Sequence, residues 1–174
     1  MIPVAAIPTD KTLQALARTL GERLAERGEW LATAESCTGG LLAKLLTDIP
    51  GSSDWFERGL VTYSNRAKQE LLAVPAETLA RAGAVSAETA LAMARGLAAA
   101  APVHWALAVT GIAGPGGGSP GKPVGTVWLA WSGARLAPFA SRYQFGGGRD
   151  AVRRRAAASA LETLLQLLED NDGQ

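Results

Sequence analysis

The sequence has little of what metal centres and disulfides require. Among its 174 residues there is one cysteine, Cys37, and one histidine, His104. A single cysteine excludes a disulfide within the chain, and one Cys with one His supplies too few ligands for a zinc site of the usual kind. The sequence therefore predicts neither a disulfide nor a metal centre of the usual N/S type, and we expect no cofactor.

An excess of charge of one sign is also missing. Lysine and arginine number 17 against 16 aspartate and glutamate residues, which gives a formal net charge of +1. Proteins dedicated to nucleic acids or to membrane surfaces carry a basic excess, so we predict neither partner. Residues 1–8 have no basic segment and no long apolar core, so we predict no signal peptide and no membrane span. These features favour a cytoplasmic protein.

What is present is the composition of an ordinary globular protein, with 48% hydrophobic and 19% charged residues. The length suits one domain, and we predict a single domain over residues 1–174 with a core of about 10–168. Strand and helix patterns alternate along the chain, and two strands in hairpin order precede the last helix. This order predicts an α/β fold, a three-layer α/β/α sandwich with a mixed β-sheet.

The predicted elements follow from apolar periodicity and from capping and breaking residues. The predicted helices are 10–27, 39–48, 65–72, 76–81, 87–100 and 150–168. The predicted strands are 30–34, 59–63, 105–109, 124–131 and 139–145, with a glycine-rich loop over 110–121 and a frayed tail over 170–174. Ligands of such sheets gather at the carboxyl ends of parallel strands, where we expect the turn after the first strand and the glycine-rich loop to meet.

The turn over residues 34–40, Ala-Glu-Ser-Cys-Thr-Gly-Gly, is the most informative segment. It joins a strand to a helix, so it exposes a side chain beside free backbone N–H groups. Ser36 is arranged there like a nucleophile, and the N–H groups around Thr38, Gly39 and Gly40 are arranged like an oxyanion hole. An N-cap role for Ser36, or equally for Thr38, is the alternative.

Cys37 is a rival nucleophile at the same helix start, where a thiol pKa would fall. A cysteine nucleophile usually works with a histidine, but His104 begins its strand while Thr110 ends it. At about 3.3 Å per residue these positions lie roughly 20 Å apart, so His104 cannot serve this site. The same distance excludes a Ser-His-Asp triad. We predict that His104 is structural and that Cys37 is a buried filler.

Lys68 is the candidate base, because Ser-Lys pairs are the known alternative to a triad. It lies about one turn into the helix that follows Tyr63, and its long stem could reach back to the strand end. Burial beside Arg66 or another cation would lower the pKa of Lys68 and make the amine a usable base. A solvated helix lysine is the alternative.

A second group of candidates surrounds the glycine-rich loop. Glycines allow close approach of the backbone to a ligand, and successive N–H groups can form an anion nest. We assign four residues of this loop and three basic residues to substrate binding: Thr110, Gly111, Ala113, Gly114, Lys122, Arg149 and Arg153. Arg149 opens the last helix, where a guanidinium and a helix N-terminus suit a phosphate, and Arg153 follows one turn later. A mobile surface loop is the alternative for the glycine-rich segment.

The loop also contains an imperfect Walker A pattern. Residues 116–122 fit its first seven positions, but Pro123 stands where the pattern needs Ser or Thr. A strand pattern follows where the P-loop requires a helix. We therefore reject an ATPase.

Several separated motifs together resemble the CinA C-terminal domain family. They are Ala-Glu-Ser-Cys-Thr-Gly-Gly at 34–40, Gly-Ser-Ser-Asp-Trp-Phe-Glu-Arg-Gly at 51–59, Tyr-Ser-Asn at 63–65 with Lys68, Gly-Ala-Val-Ser at 83–86, Thr-Gly-Ile-Ala-Gly-Pro at 110–115 and Lys-Pro-Val-Gly-Thr-Val at 122–127. The resemblance runs from about residue 10 to 168. Stand-alone members of this family are nicotinamide-nucleotide amidases.

The resemblance implies a metal-independent serine amidohydrolase of pyridine-nucleotide salvage. It would convert nicotinamide mononucleotide to nicotinate mononucleotide and ammonia, with Ser36 as nucleophile, Lys68 as base and Tyr63 as a supporting hydroxyl. We also expect a homo-oligomer. The alternatives are a nucleotide-binding module without catalysis and a partner protein related to competence or DNA damage.

Overall fold

The computed structural model describes residues 6–172 as one mixed sheet between two layers of helices. The helices are α1 Asp10–Arg27, α2 Leu41–Thr47, α3 Asn65–Leu72, α4 Ala76–Ala82, α5 Ala87–Ala100 and α6 Arg149–Asp172, with a short 3₁₀ turn at Ser52–Asp54. The strands are β1 Leu31–Glu35, β2 Phe56–Val61, β3 Trp105–Gly111, β4 Thr126–Gly133 and β5 Leu136–Gln144. This architecture confirms the predicted α/β/α sandwich.

The sheet order is β2-β1-β3-β4-β5. β1 pairs in parallel with both β2 and β3, whereas β4 and β5 run antiparallel to their neighbours. The carboxyl ends of β1, β2 and β3 therefore share one edge of the sheet, as expected for a ligand site.

The two faces of the sheet carry side chains of different size. The face toward α1, α2 and α6 presents leucine, valine and tryptophan, among them Leu107, Val109 and Trp131. The face toward α3, α4 and α5 presents alanines, among them Ala34 and Ala108. Strand side chains alternate between faces, so small residues on one side let α5 pack closely while large ones fill the space under α1 and α6.

Several element boundaries differ from the predictions. β1 continues through Glu35, because the carboxylate finds buried partners at the start of α2. β2 is an edge strand and begins at Phe56 rather than residue 59, since an edge tolerates the charged pair after Phe56. β3 includes Thr110 and Gly111, which the sequence placed in the loop.

The remaining differences lie near the chain ends and the hairpin. β4 and β5 meet in a tight turn at Gly133–Leu136, so β4 ends two residues later and β5 begins three residues earlier than predicted. α6 runs on to Asp172, so the predicted tail is helical at its start, and residues 173–174 lie outside the described residues. The same is true of residues 1–5 of the N-terminal segment. No helix within residues 6–172 is long and apolar enough to cross a membrane.

Candidate active site

A cavity of about 270 Å³ opens at the carboxyl ends of the parallel strands. It is lined by Ser36, Cys37, Tyr63, Lys68, Ala84, Val85, Thr110, Gly111, Ile112, Ala113, Gly114, Gly116, Gly117 and Arg149. None of these lining residues is acidic or a histidine. Eight of the predicted site residues meet here: Ser36, Tyr63, Lys68, Thr110, Gly111, Ala113, Gly114 and Arg149.

Ser36 follows β1 directly and is held by the neighbouring strand. Its N–H donates to the carbonyl oxygen of Val109 on β3 at 2.9 Å. On the other side of β1, the Thr62 N–H donates to the carbonyl oxygen of Glu35 at 2.8 Å, which extends the pairing beyond β2. Ser36 therefore sits on backbone that is fixed from both sides, and its side chain is 8% exposed.

Lys68 contacts Ser36 across this edge. Its Nζ lies 3.1 Å from Ser36 Oγ, and it donates to the carbonyl oxygens of Thr62 at 2.8 Å and Tyr63 at 3.2 Å. Ser64 caps α3 by accepting the Ala67 N–H at 3.0 Å, and this cap places Lys68 on the inner face of the first turn. The alternative of a solvated lysine is wrong, since Lys68 is 1% exposed.

Burial lowers the pKa of Lys68 below the ordinary lysine value. Arg66 does not cause this shift, because its guanidinium lies at the surface in an ion pair with Glu70. With two of its directions taken by carbonyl oxygens, a neutral Lys68 amine has its lone pair free for the Ser36 hydroxyl proton. The geometry therefore suits proton transfer between the two side chains.

Cys37 lines the same cavity but is held as a thiol. Burial raises its pKa to about 12, and it is 4% exposed within the core under α1 and α6. A thiol with so high a pKa is a poor nucleophile at neutral pH. This environment favours Ser36 over Cys37 for nucleophilic chemistry.

Glu35 supports the turn after β1, a role that the sequence analysis missed. Its carboxylate is 1% exposed and accepts the N–H groups of Gly40 at 3.1 Å, Leu42 at 3.1 Å and Ala43 at 2.8 Å. These donors are the free groups at the start of α2, so neither Ser36 nor Thr38 is the cap. The signal in the sequence was a charged residue that closes an apolar strand directly before the turn.

The expected oxyanion donors need a correction. The Gly39 N–H donates to the Ser36 carbonyl oxygen at 3.0 Å, and the Gly40 N–H donates to Glu35, so neither is free for a substrate. In the described part of the chain, the N–H groups of Cys37 and Thr38 donate to no other residue. The donors that the turn leaves available are therefore one and two residues after Ser36.

Arg149 spans the mouth of the cavity. It donates to the carbonyl oxygen of Gly114 at 2.7 Å and to the hydroxyl of Tyr63 at 2.9 Å. The Tyr63 side chain is 57% exposed, and its hydroxyl is bound to Arg149 rather than to Ser36 or Lys68. Tyr63 contacts Lys68 through its main chain, because its carbonyl oxygen accepts from Lys68 Nζ.

Five of the predicted substrate-binding residues are not among those that line the cavity: Thr38, Gly39, Gly40, Lys122 and Arg153. Lys122 Nζ donates to the carbonyl oxygen of Ala82 at the end of α4, 2.8 Å away, and so ties the glycine-rich loop to that helix. Arg153 Nε donates to the carbonyl oxygen of Cys37 at 2.8 Å and thus supports the turn. Thr110 lines the cavity, but its hydroxyl donates to the Ala84 carbonyl oxygen at 2.7 Å and fixes the opposite wall.

Within the described residues, no group of three or more His, Cys, Asp or Glu side chains is placed to hold a metal ion. The polar side chains of the cavity are three hydroxyls, a thiol, an amine and a guanidinium, and they lie beside backbone amides. Such a set can bind an anionic ligand and perform acyl transfer.

Comparison with known proteins shows the same fold and closely similar sequences. The sequence profile of the CinA C-terminal domain matches residues 13–168. The nicotinamide-nucleotide amidohydrolase PncC of Escherichia coli K12 is 53% identical over 163 residues, which cover 94% of this chain and 99% of that protein. The protein of the same name from Pseudomonas putida is 54% identical over 153 residues, 87% of this chain and 94% of that one.

Among solved structures, the competence/damage inducible protein CihA of Agrobacterium tumefaciens superposes with a TM-score of 0.88. It is 45% identical in sequence, and the match covers 94% of this chain and 98% of that one.

Proposed function

The chain belongs to the CinA C-terminal domain family, and on that premise we propose that it is a nicotinamide-nucleotide amidohydrolase. It hydrolyses the carboxamide of nicotinamide mononucleotide and gives nicotinate mononucleotide and ammonia, a step of pyridine-nucleotide salvage. The observation that carries this proposal is the buried contact of 3.1 Å between Lys68 Nζ and Ser36 Oγ, beside free backbone N–H groups. Relatives that cover almost the whole chain bear the name of this activity.

In the acylation step, Ser36 Oγ attacks the carboxamide carbon while its proton passes to neutral Lys68. The carbonyl oxygen becomes an oxyanion and accepts from the N–H groups of Cys37 and Thr38. An oxyanion donor of this kind contributes roughly 3–4 kcal/mol in a well-studied protease. Protonated Lys68 then gives its proton to the leaving nitrogen, which departs as ammonia, and the nucleotide stays bound to Ser36 as an ester.

In the deacylation step, water attacks the ester carbonyl and gives a proton to Lys68. The same backbone N–H groups hold the second oxyanion. When it collapses, Lys68 returns the proton to Ser36 Oγ, and nicotinate mononucleotide is released. The reaction consumes one water and needs no metal or cofactor.

Arg149 and the glycine-rich loop bind the 5′-phosphate in this account. Arg149 would exchange its contacts with Gly114 and Tyr63 for phosphate oxygens, which a guanidinium binds in pairs. A phosphate held at the mouth of the cavity positions the carboxamide at Ser36 and so contributes to turnover as well as to affinity. The cytoplasmic location and the homo-oligomeric state stay predictions.

The test is ammonia release by the purified protein from nicotinamide mononucleotide, in buffer with EDTA. We expect steady turnover that EDTA and dialysis do not diminish, and none from Ser36→Ala. Ammonia release no faster than that of Ser36→Ala, with nucleotide binding retained, would favour a binding module instead. Activity lost to the chelator and restored by a divalent ion would overturn the serine mechanism.

A further inference from the structure

We infer that Arg153 is a positioning residue that orients a backbone N–H donor of the oxyanion hole, the Thr38 N–H, and that it does not bind substrate. This inference rests on the proposed function. It starts from the turn that follows Ser36, where two successive peptide groups carry the only N–H donors that remain free in the described part of the turn.

Both peptide groups are fixed through their carbonyl oxygens. The Ser36 carbonyl oxygen accepts the Gly39 N–H at 3.0 Å, and the Cys37 carbonyl oxygen accepts Arg153 Nε at 2.8 Å. In a planar trans peptide the N–H points opposite to the C=O. The N–H groups of Cys37 and Thr38 therefore point away from Gly39 N and Arg153, the two donors that hold their carbonyl groups.

The orientation of the Thr38 N–H depends on one side chain. The first peptide is held by the chain itself, within a tight turn. The second is held by Arg153, which comes from α6, more than a hundred residues later in the sequence. Without Arg153 the Cys37–Thr38 peptide could rotate, and the Thr38 N–H would no longer point at the oxyanion.

Gly39 gives independent support for this placement. A β-carbon at Gly39 would lie 3.2 Å from Arg153 Nη2 and 3.5 Å from its Cζ, so the guanidinium lies close to the backbone at Gly39. Gly39 also has a left-handed φ of +61°. The chain thus has glycine where a side chain would crowd Arg153 and strain the backbone.

Arg149 and Arg153 both lie on α6 but have different roles. Arg149 lines the cavity and is free to exchange its partners for a phosphate. Arg153 Nε donates to the carbonyl oxygen of Cys37, so that nitrogen is not available to a phosphate. A substrate ligand affects binding, whereas a residue that aims an oxyanion donor affects the transition state.

The experiment compares Arg153→Met with Arg154→Met, a neighbour on α6 whose partners are Asp10 and Asp150. We measure kcat and KM for ammonia release, the Kd of nicotinate mononucleotide, and the rate at which a fluorophosphonate probe labels Ser36. Since the probe's phosphonyl oxygen needs the same donors, its rate reports on the hole without any nucleotide. Thermal melting shows whether each variant is folded, and Arg153→Lys provides a variant that keeps the charge.

For Arg153→Met we expect kcat and the labelling rate to fall by about 10- to 100-fold, while KM and Kd change by less than about threefold. Arg153→Lys should recover only part of the loss, because lysine lacks the planar guanidinium, and Arg154→Met should match the wild type. Wild-type kcat and labelling in folded Arg153→Met would overturn the inference and leave the proposed function standing. A raised KM with unchanged kcat would do so too, since it would make Arg153 a substrate ligand. If the wild type released no ammonia, the proposed function would fail, and the labelling rates would still decide the role of Arg153.

Discussion

The two ends of the same sheet carry cavities of similar size and opposite chemical character. The carboxyl end holds the cavity of about 270 Å³ with Ser36 and Lys68. The amino end holds one of about 290 Å³, lined by Arg27, Glu29, His104, Trp105, Ala134 and Arg135. Neither the cavity volume nor the presence of polar residues therefore distinguishes the two ends. The difference lies in the hydrogen bonds that the polar groups make.

At the amino end most of the polar side chains contact one another or the nearby backbone. Glu29 accepts from Trp105 Nε1 at 2.6 Å and pairs with Arg27 Nε at 3.1 Å. Burial would raise the pKa of Glu29, but its hydrogen bonds to Arg27 and Trp105 outweigh burial and hold that pKa below the usual value. His104 Nδ1 accepts the Trp30 N–H at 3.0 Å. These contacts join β1, β3 and α1, so they serve the fold.

At the carboxyl end several polar groups line the cavity, where a ligand can contact them. Burial lowers the pKa of Lys68 and so disfavours its charged form. The hydroxyl of Ser36 faces that amine, and the backbone N–H groups beyond it have no acceptor among the described residues. The cavity at the carboxyl end therefore differs in that Ser36 and Lys68 contact each other inside it, beside backbone N–H groups that donate to no other described residue.

The largest effect should separate Ser36 from His104. Ser36→Ala removes the nucleophile, and we expect kcat to fall by about 10⁴-fold or more while nucleotide binding persists. His104→Ala, at the opposite end, should change kcat by less than about threefold. Ammonia release by the two purified variants, with melting curves as the folding control, measures this. A strong catalytic defect in well-folded His104→Ala would break the comparison.

The next effect should separate the arginines of the two cavities. Arg149→Ala should weaken nucleotide binding by about 2 kcal/mol, which is the scale of charge-assisted hydrogen bonds. Arg135→Ala should leave binding unchanged. Calorimetric titration with nicotinate mononucleotide tests both variants. Turnover of free nicotinamide as fast as that of its mononucleotide would contradict a phosphate contact.

A smaller effect should appear in stability against pH. The native pKa of Lys68 is lowered, so between that pKa and about 10.4 the unfolded state binds more protons at this position. The free energy of unfolding of the wild type should therefore rise with pH relative to Lys68→Met, by up to about 1.4 kcal/mol per pH unit within this window. Urea titrations from neutral to alkaline pH measure the difference. A difference independent of pH would show that Lys68 has an ordinary pKa.

The smallest effect on activity is expected at Cys37. Cys37→Ala should retain most of the turnover, because the thiol is buried and its pKa of about 12 keeps it protonated. The lost packing should lower the free energy of unfolding by about 1 kcal/mol. Kinetics and denaturant titration of one preparation give both numbers. An inactive but folded Cys37→Ala, together with an active Ser36→Ala, would reverse the assignment of the nucleophile.

Most of the fold could be predicted from the sequence, because its signals are local. The bounds of α1 and α3 were predicted from apolar periodicity and from capping and breaking residues, and the structure confirms them. The exclusion of His104 also needed only the length of one strand. Register and edge position are set by pairing partners, which is why the start of β2 was predicted wrongly.

The site was predictable only in part, because hydrogen-bond partners come from distant segments. The approach of Lys68 to Ser36 followed from two strand-to-helix turns at one edge of the sheet. The use of the Gly40 N–H by Glu35 and the contact of Arg153 with Cys37 depend on side-chain placement that no local pattern encodes. The contact of Lys122 was not predicted for the same reason, since its partner, the Ala82 carbonyl oxygen, lies at the end of α4.

The most direct test of the central claim is a double-mutant cycle on the reactive pair, measured as kcat for ammonia release from nicotinamide mononucleotide. Ser36→Ala, Lys68→Ala and the double variant are compared with the wild type under identical conditions. Because the hydroxyl and the amine act as one unit, we predict that the double variant is within about threefold of either single variant. Losses that multiply in the double variant, or an active Ser36→Ala protein, would contradict a Ser36–Lys68 amidohydrolase.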